Sequence, residues 1–169
     1  KESGATGTSR FFNDAVEGLI AGMFWKLKED YPQCCTLPHM MALYQLLDTD
    51  SLINFLVSNR TSKAMADAFI SGRDSERQTA GVKSTLANAF KKISTKRLFA
   101  LLSADGVPLD VNNQDNPAVV SLVNNPLFET SYSPILATIL HTMTKQMSVR
   151  HRRSSFLLME EAPTIRLLN

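Results

Sequence analysis

Two consecutive carboxylates near the carboxyl end of the chain are the residues best suited to chemistry. Glu160 and Glu161 follow the apolar run 156–159, which reads as a buried strand. Ligands of α/β proteins bind at the carboxyl ends of parallel strands. In nucleotide hydrolases one carboxylate placed there holds a water on Mg²⁺, and another orients the water that attacks the γ-phosphate. Successive strand residues point in opposite directions, so the pair suits two such tasks better than a glycosidase pair facing across a sugar. An acidic turn after a buried strand is the alternative.

The middle of the chain is basic, although the net charge of the whole chain is only +2. Residues 60–97 carry nine Lys and Arg against three Asp and Glu, whereas the flanking residues are slightly acidic. Such a segment attracts nucleic acid or an acidic partner, and a solvated helix face is the alternative. The candidate DNA- or cargo-binding residues in it are Lys83, Lys91, Lys92, Lys96 and Arg97. A second basic cluster, with the same alternative reading, is formed by Lys145, Arg150, Arg152 and Arg153.

The cysteines and histidines give no support for a metal held by this chain alone. Cys34 and Cys35 are adjacent, and neighbouring cysteines join only through a strained ring. A disulfide framework is therefore excluded, and a reducing, cytoplasmic setting is favoured. His39, His141 and His151 are far apart and lack partners at the spacing of zinc ligands.

Composition places the chain among globular proteins. It has 169 residues, of which 44% are hydrophobic and 20% are charged, and this balance argues against disorder. The longest apolar stretch, 19–25, is far shorter than the roughly 20 residues of a membrane span. We expect a soluble chain that makes no membrane contact.

Residues 1–105 predict an all-helical domain. Apolar residues recur at three- and four-residue steps from Phe12 to Leu27, which predicts a long amphipathic helix. Four more helices are predicted, the last of them running to about Leu102. The residues expected to cap or open the five helices are Ser9, Thr36, residues 48–51, Thr61 or Ser62, and Ser75.

Residues 106–169 show a different pattern. The β-branched run 118–123 and the apolar run 155–159 predict two short strands, and Ser133-Pro134 predicts the start of a helix between them. Strand, helix and strand in this order make a βαβ unit with parallel strands. Two parallel strands need further neighbours and covered faces. We therefore predict a mainly α chain that ends in an incomplete α/β core, as in an excised fragment.

Residues 160–165, Glu-Glu-Ala-Pro-Thr-Ile, resemble the Walker B segment of conjugative type IV coupling proteins, the TraG/TraD-like DNA-transfer ATPases. The family segment reads Asp-Glu, an apolar residue, Pro, Ser or Thr, and another apolar residue. Residues 9–19 are similar to the entry to the helical insertion of that family, Leu37-Pro38 to the opening of its next helix, and 119–126 to the core strand that follows the insertion. The Asn-Asn-Pro and Glu-Ala-Pro-Thr forms of these segments most resemble the versions carried by mobile elements of Bacteroides-type bacteria.

The resemblance implies a RecA-like nucleotide-binding core interrupted by an all-α domain. The family forms hexameric ATPases at the cytoplasmic face of the bacterial inner membrane, which deliver DNA to a type IV secretion channel. It implies ATP and Mg²⁺ for the full-length protein, with DNA and relaxosome proteins as partners. Residues 9–105 then correspond largely to the all-α domain, which is linked to recognising DNA or relaxosome cargo. By resemblance Glu160 takes the Mg²⁺-water position and Glu161 is the catalytic carboxylate.

Two features depart from the family pattern. Glu160 stands where the family has Asp, and its longer side chain alters the geometry at Mg²⁺. No Gly-x-x-x-x-Gly-Lys-(Ser/Thr) phosphate loop is present, since residues 4–8 contain glycines but lack the lysine and a preceding strand. The family places this loop before the helical insertion, so we expect it upstream of Lys1. We expect this chain alone to need no cofactor and to hydrolyse no ATP.

Two other functions remain open from the sequence. A stand-alone helical protein-interaction module would explain the missing phosphate loop, but it leaves the βαβ pattern and the Glu-Glu-Ala-Pro-Thr sequence as coincidences. A free-standing hydrolase built on Glu160 and Glu161 has no nucleophile, metal site or phosphate loop to support it.

Overall fold

A computed structural model describes residues 7–104 and 106–160 of the chain. These residues are mainly α-helical, which confirms the predicted class, and they contain eight α-helices. The helices are α1 (Gly7–Asp30), α2 (Leu37–Leu46), α3 (Thr49–Val57), α4 (Arg60–Met65), α5 (Asp67–Ser71), α6 (Glu76–Ile93), α7 (Lys96–Leu102) and α8 (Glu129–Met147). Two 3₁₀ turns, Pro32–Cys34 and Pro126–Phe128, lie before α2 and α8.

The contacts within the chain divide it into two units. The first comprises Lys1–Ser94 with Phe99–Ser103, and the second comprises Thr95–Leu98 with Ala104–Asn169.

In the first unit the long helix α1 packs against α4, α5 and α6. Its predicted apolar stripe forms the core, where Leu19 and Met23 are fully buried. Gly18 and Gly22 lie on the side of α1 that faces the backbone of α4, so that a Cβ at Gly18 would stand 2.5 Å from the carbonyl oxygen of Met65. These glycines allow the two helices to approach closely.

Local capping decides most of the helix starts. Thr36 and Ser75 each accept a hydrogen bond from a backbone N–H three residues later, as predicted, and so does Asp48, the first residue of the predicted capping run 48–51. The fourth helix begins earlier than predicted, because the side chain of Asn59 accepts from the N–H groups of both Thr61 and Ser62 at 3.0 Å. It is also split in two at Ala66, between α4 and α5.

Two more predicted boundaries are wrong. Helix α1 begins at Gly7, so Ser9 lies within it and is not the N-cap. The predicted continuous helix 75–102 is divided into α6 and α7. The Ser94 hydroxyl donates to the Phe90 carbonyl at 2.8 Å, and the Thr95 hydroxyl accepts from the Leu98 N–H at 3.2 Å. Ser94 is the C-cap of α6, and the Thr95 side chain satisfies an N–H in the first turn of α7.

The second unit is organised on α8. Its predicted stripe is largely buried, with Ile135, Leu136, Leu140 and Met143 on the inner face. The helix starts at Glu129 rather than at Ser133-Pro134, and Pro134 lies inside it. The earlier start follows a 3₁₀ turn, Pro126–Phe128, which the side chain of Asn125 caps by accepting from the Leu127 N–H at 3.0 Å.

The predicted strands 118–123 and 155–159 are not seen. Both runs are irregular in the described residues, and no strand pairing joins them there. A strand exists only when its backbone groups bond to a neighbouring strand. The βαβ piece of a RecA-like core is therefore absent from residues 7–104 and 106–160, although the strand–helix–strand order of apolar segments is retained.

Candidate nucleic-acid interface

Helix α6 presents a basic outer surface. Its inner face buries Val82, Leu86 and Phe90 in the core of the first unit, and this packing fixes which side chains point outwards. Lys91 and Lys92 are exposed in the last turn. No Asp or Glu occurs between residues 77 and 92, so no carboxylate of α6 itself offsets these charges beyond its first residue.

Lys83 differs from Lys91 and Lys92 in its surroundings. It is partly buried, and its ammonium group donates to the hydroxyl of Thr49 at 3.1 Å. Its carbonyl oxygen accepts a 2.9 Å hydrogen bond from the Tyr44 hydroxyl, and burial raises the pKa of that phenol. The side chain lines an open groove together with Asp50, Arg73 and Glu76. Its ammonium group is thus held at the first residue of α3.

Lys96 and Arg97 belong to the second unit, in the first turn of α7. Both side chains are exposed. The Arg97 guanidinium lies 5.2 Å from the centre of the Phe128 ring, within the range of a cation–π contact. Of the five predicted residues, Lys91 and Lys92 thus lie in the last turn of α6, and Lys96 and Arg97 in the first turn of α7.

The carboxylate segment is described only as far as Glu160, whose side chain is exposed. Glu161 lies outside the described residues. Phe156, in the apolar run before these carboxylates, is 89% exposed. The run is therefore not packed against another element of the described residues.

Two residues of the second basic cluster, Arg152 and Arg153, contact the loop of residues 110–114. Arg152 forms an ion pair of 3.4 Å with Asp110, and the Arg153 Nε donates to the Gln114 carbonyl at 3.0 Å. A hydrogen bond from the Asn113 side chain, with the contribution of Arg152, lowers the pKa of Asp110. Arg152 and Arg153 thus contact the loop that begins at Asp110.

Asn112 is the centre of this loop, and sequence reasoning did not identify it. It is 3% exposed, and its amide nitrogen lies within 3.1 Å of the carbonyl oxygens of Met147 and Arg153. The backbone carbonyl of Asn112 accepts a hydrogen bond from the Arg153 backbone N–H at 3.1 Å. These contacts join residues at least 35 positions apart, so no local pattern could have found them.

Within residues 7–104 and 106–160, no three His, Cys, Asp or Glu side chains come together as a metal site. No helix in the same residues has the length and apolar character needed to cross a membrane.

Comparison of the chain with protein families, with curated proteins and with solved structures identified no match.

Proposed function

We propose that the chain is part of a TraG/TraD-like conjugative coupling ATPase, in which its helical part recognises DNA or relaxosome cargo for type IV secretion. The observation that carries the proposal is the exposure of two apolar runs, 118–123 and 156–159, before and after α8. Val119 is 101% exposed and Phe156 is 89% exposed. Large apolar side chains in water forgo the main favourable contribution to folding, so runs of this kind mark surfaces that another element covers.

In the first run, 118–123, side-chain exposure alternates from one residue to the next, as it does along a strand. Residues 118, 120 and 122 are partly buried, whereas 119, 121 and 123 are exposed. Alternation of this kind belongs to an extended segment with one covered face. This segment and the exposed apolar run 156–159, before and after α8, fit a βαβ unit whose sheet neighbours come from other parts of a longer protein. This supports a RecA-like core for the parent protein.

Catalysis belongs to the full-length protein in this proposal. In the full-length protein Glu160 would hold a water on Mg²⁺ and Glu161 would orient the water that attacks ATP, with the phosphate loop expected upstream of Lys1. The parent acts as a homo-hexamer at the cytoplasmic face of the bacterial inner membrane and delivers DNA to the secretion channel.

Recognition of DNA or cargo is assigned to the outer surface of α6. Lys91 and Lys92 are exposed there without a carboxylate between residues 77 and 92, which favours an anionic partner. Lys83 contributes less, since its ammonium group is hydrogen-bonded to Thr49. Lys96 and Arg97 extend the basic sequence into α7.

A second candidate function is a stand-alone helical protein-interaction module. The first unit favours it, since that unit has a hydrophobic core of its own, built from α1 to α6. Under this alternative, the exposed runs around α8 would have no sheet to join.

The coding DNA upstream of the Lys1 codon distinguishes the two functions. The coupling-protein proposal expects a Gly-x-x-x-x-Gly-Lys-(Ser/Thr) sequence after an apolar, strand-like run, in the same reading frame. A ribosome-binding site and start codon directly before the Lys1 codon would support the stand-alone module and would exclude the proposed parent.

A further inference from the structure

The connection between α1 and α2 carries two adjacent free thiols. Cys34 and Cys35 are both partly buried, and both pack at the edge of the hydrophobic core of the first unit. Neither is used by the proposed recognition surface, and the inference drawn from them does not depend on the proposed function.

Backbone hydrogen bonds hold this pair in a defined turn. Cys34 ends a 3₁₀ turn, and Cys35 has φ −79° and ψ 60°. With the Thr36 N–H donating to the Cys34 carbonyl at 2.9 Å, these angles make an inverse γ-turn centred on Cys35. The Cys35 thiol lies 3.8 Å from the Phe24 carbonyl oxygen of α1, to which it donates. The two cysteines are therefore held in an ordered turn, which lowers the entropic cost of engaging both at once.

The number of ligands at this turn restricts what it can bind. Structural zinc takes four protein ligands, and no third His, Cys, Asp or Glu joins the pair among the described residues. The nearest imidazole in the sequence, His39, has its Nδ1 2.7 Å from the Thr36 hydroxyl. A direct disulfide is unfavourable too, because consecutive Cα atoms are about 3.8 Å apart whereas disulfides prefer about 4.4–6.8 Å.

We infer that Cys34 and Cys35 form a vicinal dithiol site for a trivalent arsenical. Trivalent arsenic is a soft centre that makes three bonds, two to thiolate sulfurs and one to its own substituent. A bridging arsenic holds the sulfurs farther apart than a direct S–S bond, which relieves the strain of the adjacent positions. In the reaction an arsenic oxide, R–As=O, takes up two thiols. Two As–S bonds form, the As=O bond breaks, and the two thiol protons leave with the oxygen as water, without any redox change.

Phenylarsine oxide provides the test on the folded chain, kept reduced and free of oxygen. We expect one phenylarsenic group per chain by intact mass, together with loss of both thiols to a chromogenic disulfide reagent. A dithiol competitor should reverse the binding, and an equal concentration of a monothiol should not. Cys34→Ser and Cys35→Ser should each bind roughly 100-fold more weakly, because one sulfur loses the advantage of the second.

Two results would overturn the site. One is native-like affinity in either serine variant, and the other is retention of both free thiols by the native chain after treatment. Binding that requires urea would count against it equally, since the folded turn would then contribute nothing. Circular dichroism of both variants shows whether the helices are kept, and the thiol count on the native chain is independent of the variants.

Discussion

The hydroxyl group of Ser62 donates a 2.8 Å hydrogen bond to the backbone carbonyl of Gly22, in the buried contact between α4 and α1. Ser62 is completely buried. A Cβ added at Gly22 would stand 2.8 Å from the Ser62 carbonyl oxygen and 3.2 Å from the Ala66 Cβ. The small size of these three residues sets the distance between the two helices and, through it, the arrangement of the first unit.

Gly22→Ala should therefore destabilise the chain. The added methyl group meets backbone rather than a movable side chain, so α4 must shift, at a cost of about 1–3 kcal/mol in the free energy of unfolding. Urea unfolding followed by circular dichroism measures the change. Gly106→Ala is the control, since nothing lies within 4 Å of its added Cβ. Equal effects of the two substitutions would contradict the close packing of α1 on α4.

Asn112→Ala should loosen the second unit. The substitution removes the side-chain donor to the Met147 carbonyl at the end of α8 and to the Arg153 carbonyl. A lost buried hydrogen-bond partner costs about 1–3 kcal/mol. Hydrogen exchange should become faster at the Arg153 amide, which bonds to the backbone carbonyl of residue 112 in the loosened loop. Asn116→Ala, at an exposed position of the same loop, should leave that exchange unchanged, and identical protection in both variants would contradict the role of Asn112.

The charge of the N-cap Asp48 should stabilise the chain at neutral pH and cease to do so in acid. Hydrogen bonds from the Ser51 backbone and side chain hold the pKa of Asp48 below its usual 3.8. A lowered folded pKa means that the stabilisation is complete above the unfolded value and is lost as the pH falls through the folded one. Asp48→Asn keeps a capping side chain but cannot titrate.

The melting temperature of the native chain should therefore exceed that of Asp48→Asn at neutral pH, with the difference shrinking in acid below 3.8. The lowered pKa of Asp110 has the same sign but is common to both proteins, so it cancels in the comparison. A difference that stays constant between about pH 7 and pH 2 would show that the charge of Asp48 does not contribute.

The exposed runs around α8 should cause self-association of the isolated chain. Unpaired apolar segments without charge pair readily with other copies. The double variant Val119→Glu, Phe156→Glu should shift sedimentation velocity profiles towards monomer, with a stability change within about 0.5 kcal/mol because both side chains are exposed. Leu46→Glu, at an exposed apolar position outside the runs, is the matched control. A native chain that stays monomeric at high concentration would contradict the prediction.

Sequence reasoning succeeded where the determining contacts are local. The sequence predicts Thr36, the run 48–51 and Ser75 as helix starts, and Thr36, Asp48 and Ser75 each bond to an N–H three residues away. The apolar stripe of α1 was equally visible, since its period alone fixes the buried face. The break after Ile93 was missed because Ser94 and Thr95 are compatible with a helix until their hydroxyl groups bond to the backbone.

Contacts between distant residues account for the other differences. The bonds of Asn112 to Met147 and Arg153 depend on how the loop folds back, which no short pattern encodes. Strands 118–123 and 155–159 were predicted from composition, but a strand also needs a neighbour, and the described residues supply none. For the site, the sequence predicts Lys83, Lys91 and Lys92 alike. It cannot show that Lys83 is partly buried and bonded to Thr49, because that hydrogen bond joins distant residues.

The most direct test of the recognition role is the salt dependence of DNA binding by Lys91→Gln, Lys92→Gln. Fluorescence anisotropy with a short labelled duplex gives the affinity over a range of salt concentrations. We predict that native binding weakens steeply with salt and that the double variant lowers the slope of log affinity against log salt by about 2, one phosphate contact for each lysine. The control Lys28→Gln, Lys63→Gln removes two exposed charges from α1 and α4 and should keep the native slope. Salt-insensitive binding, or an equal loss in the control, would contradict DNA recognition by this surface of α6.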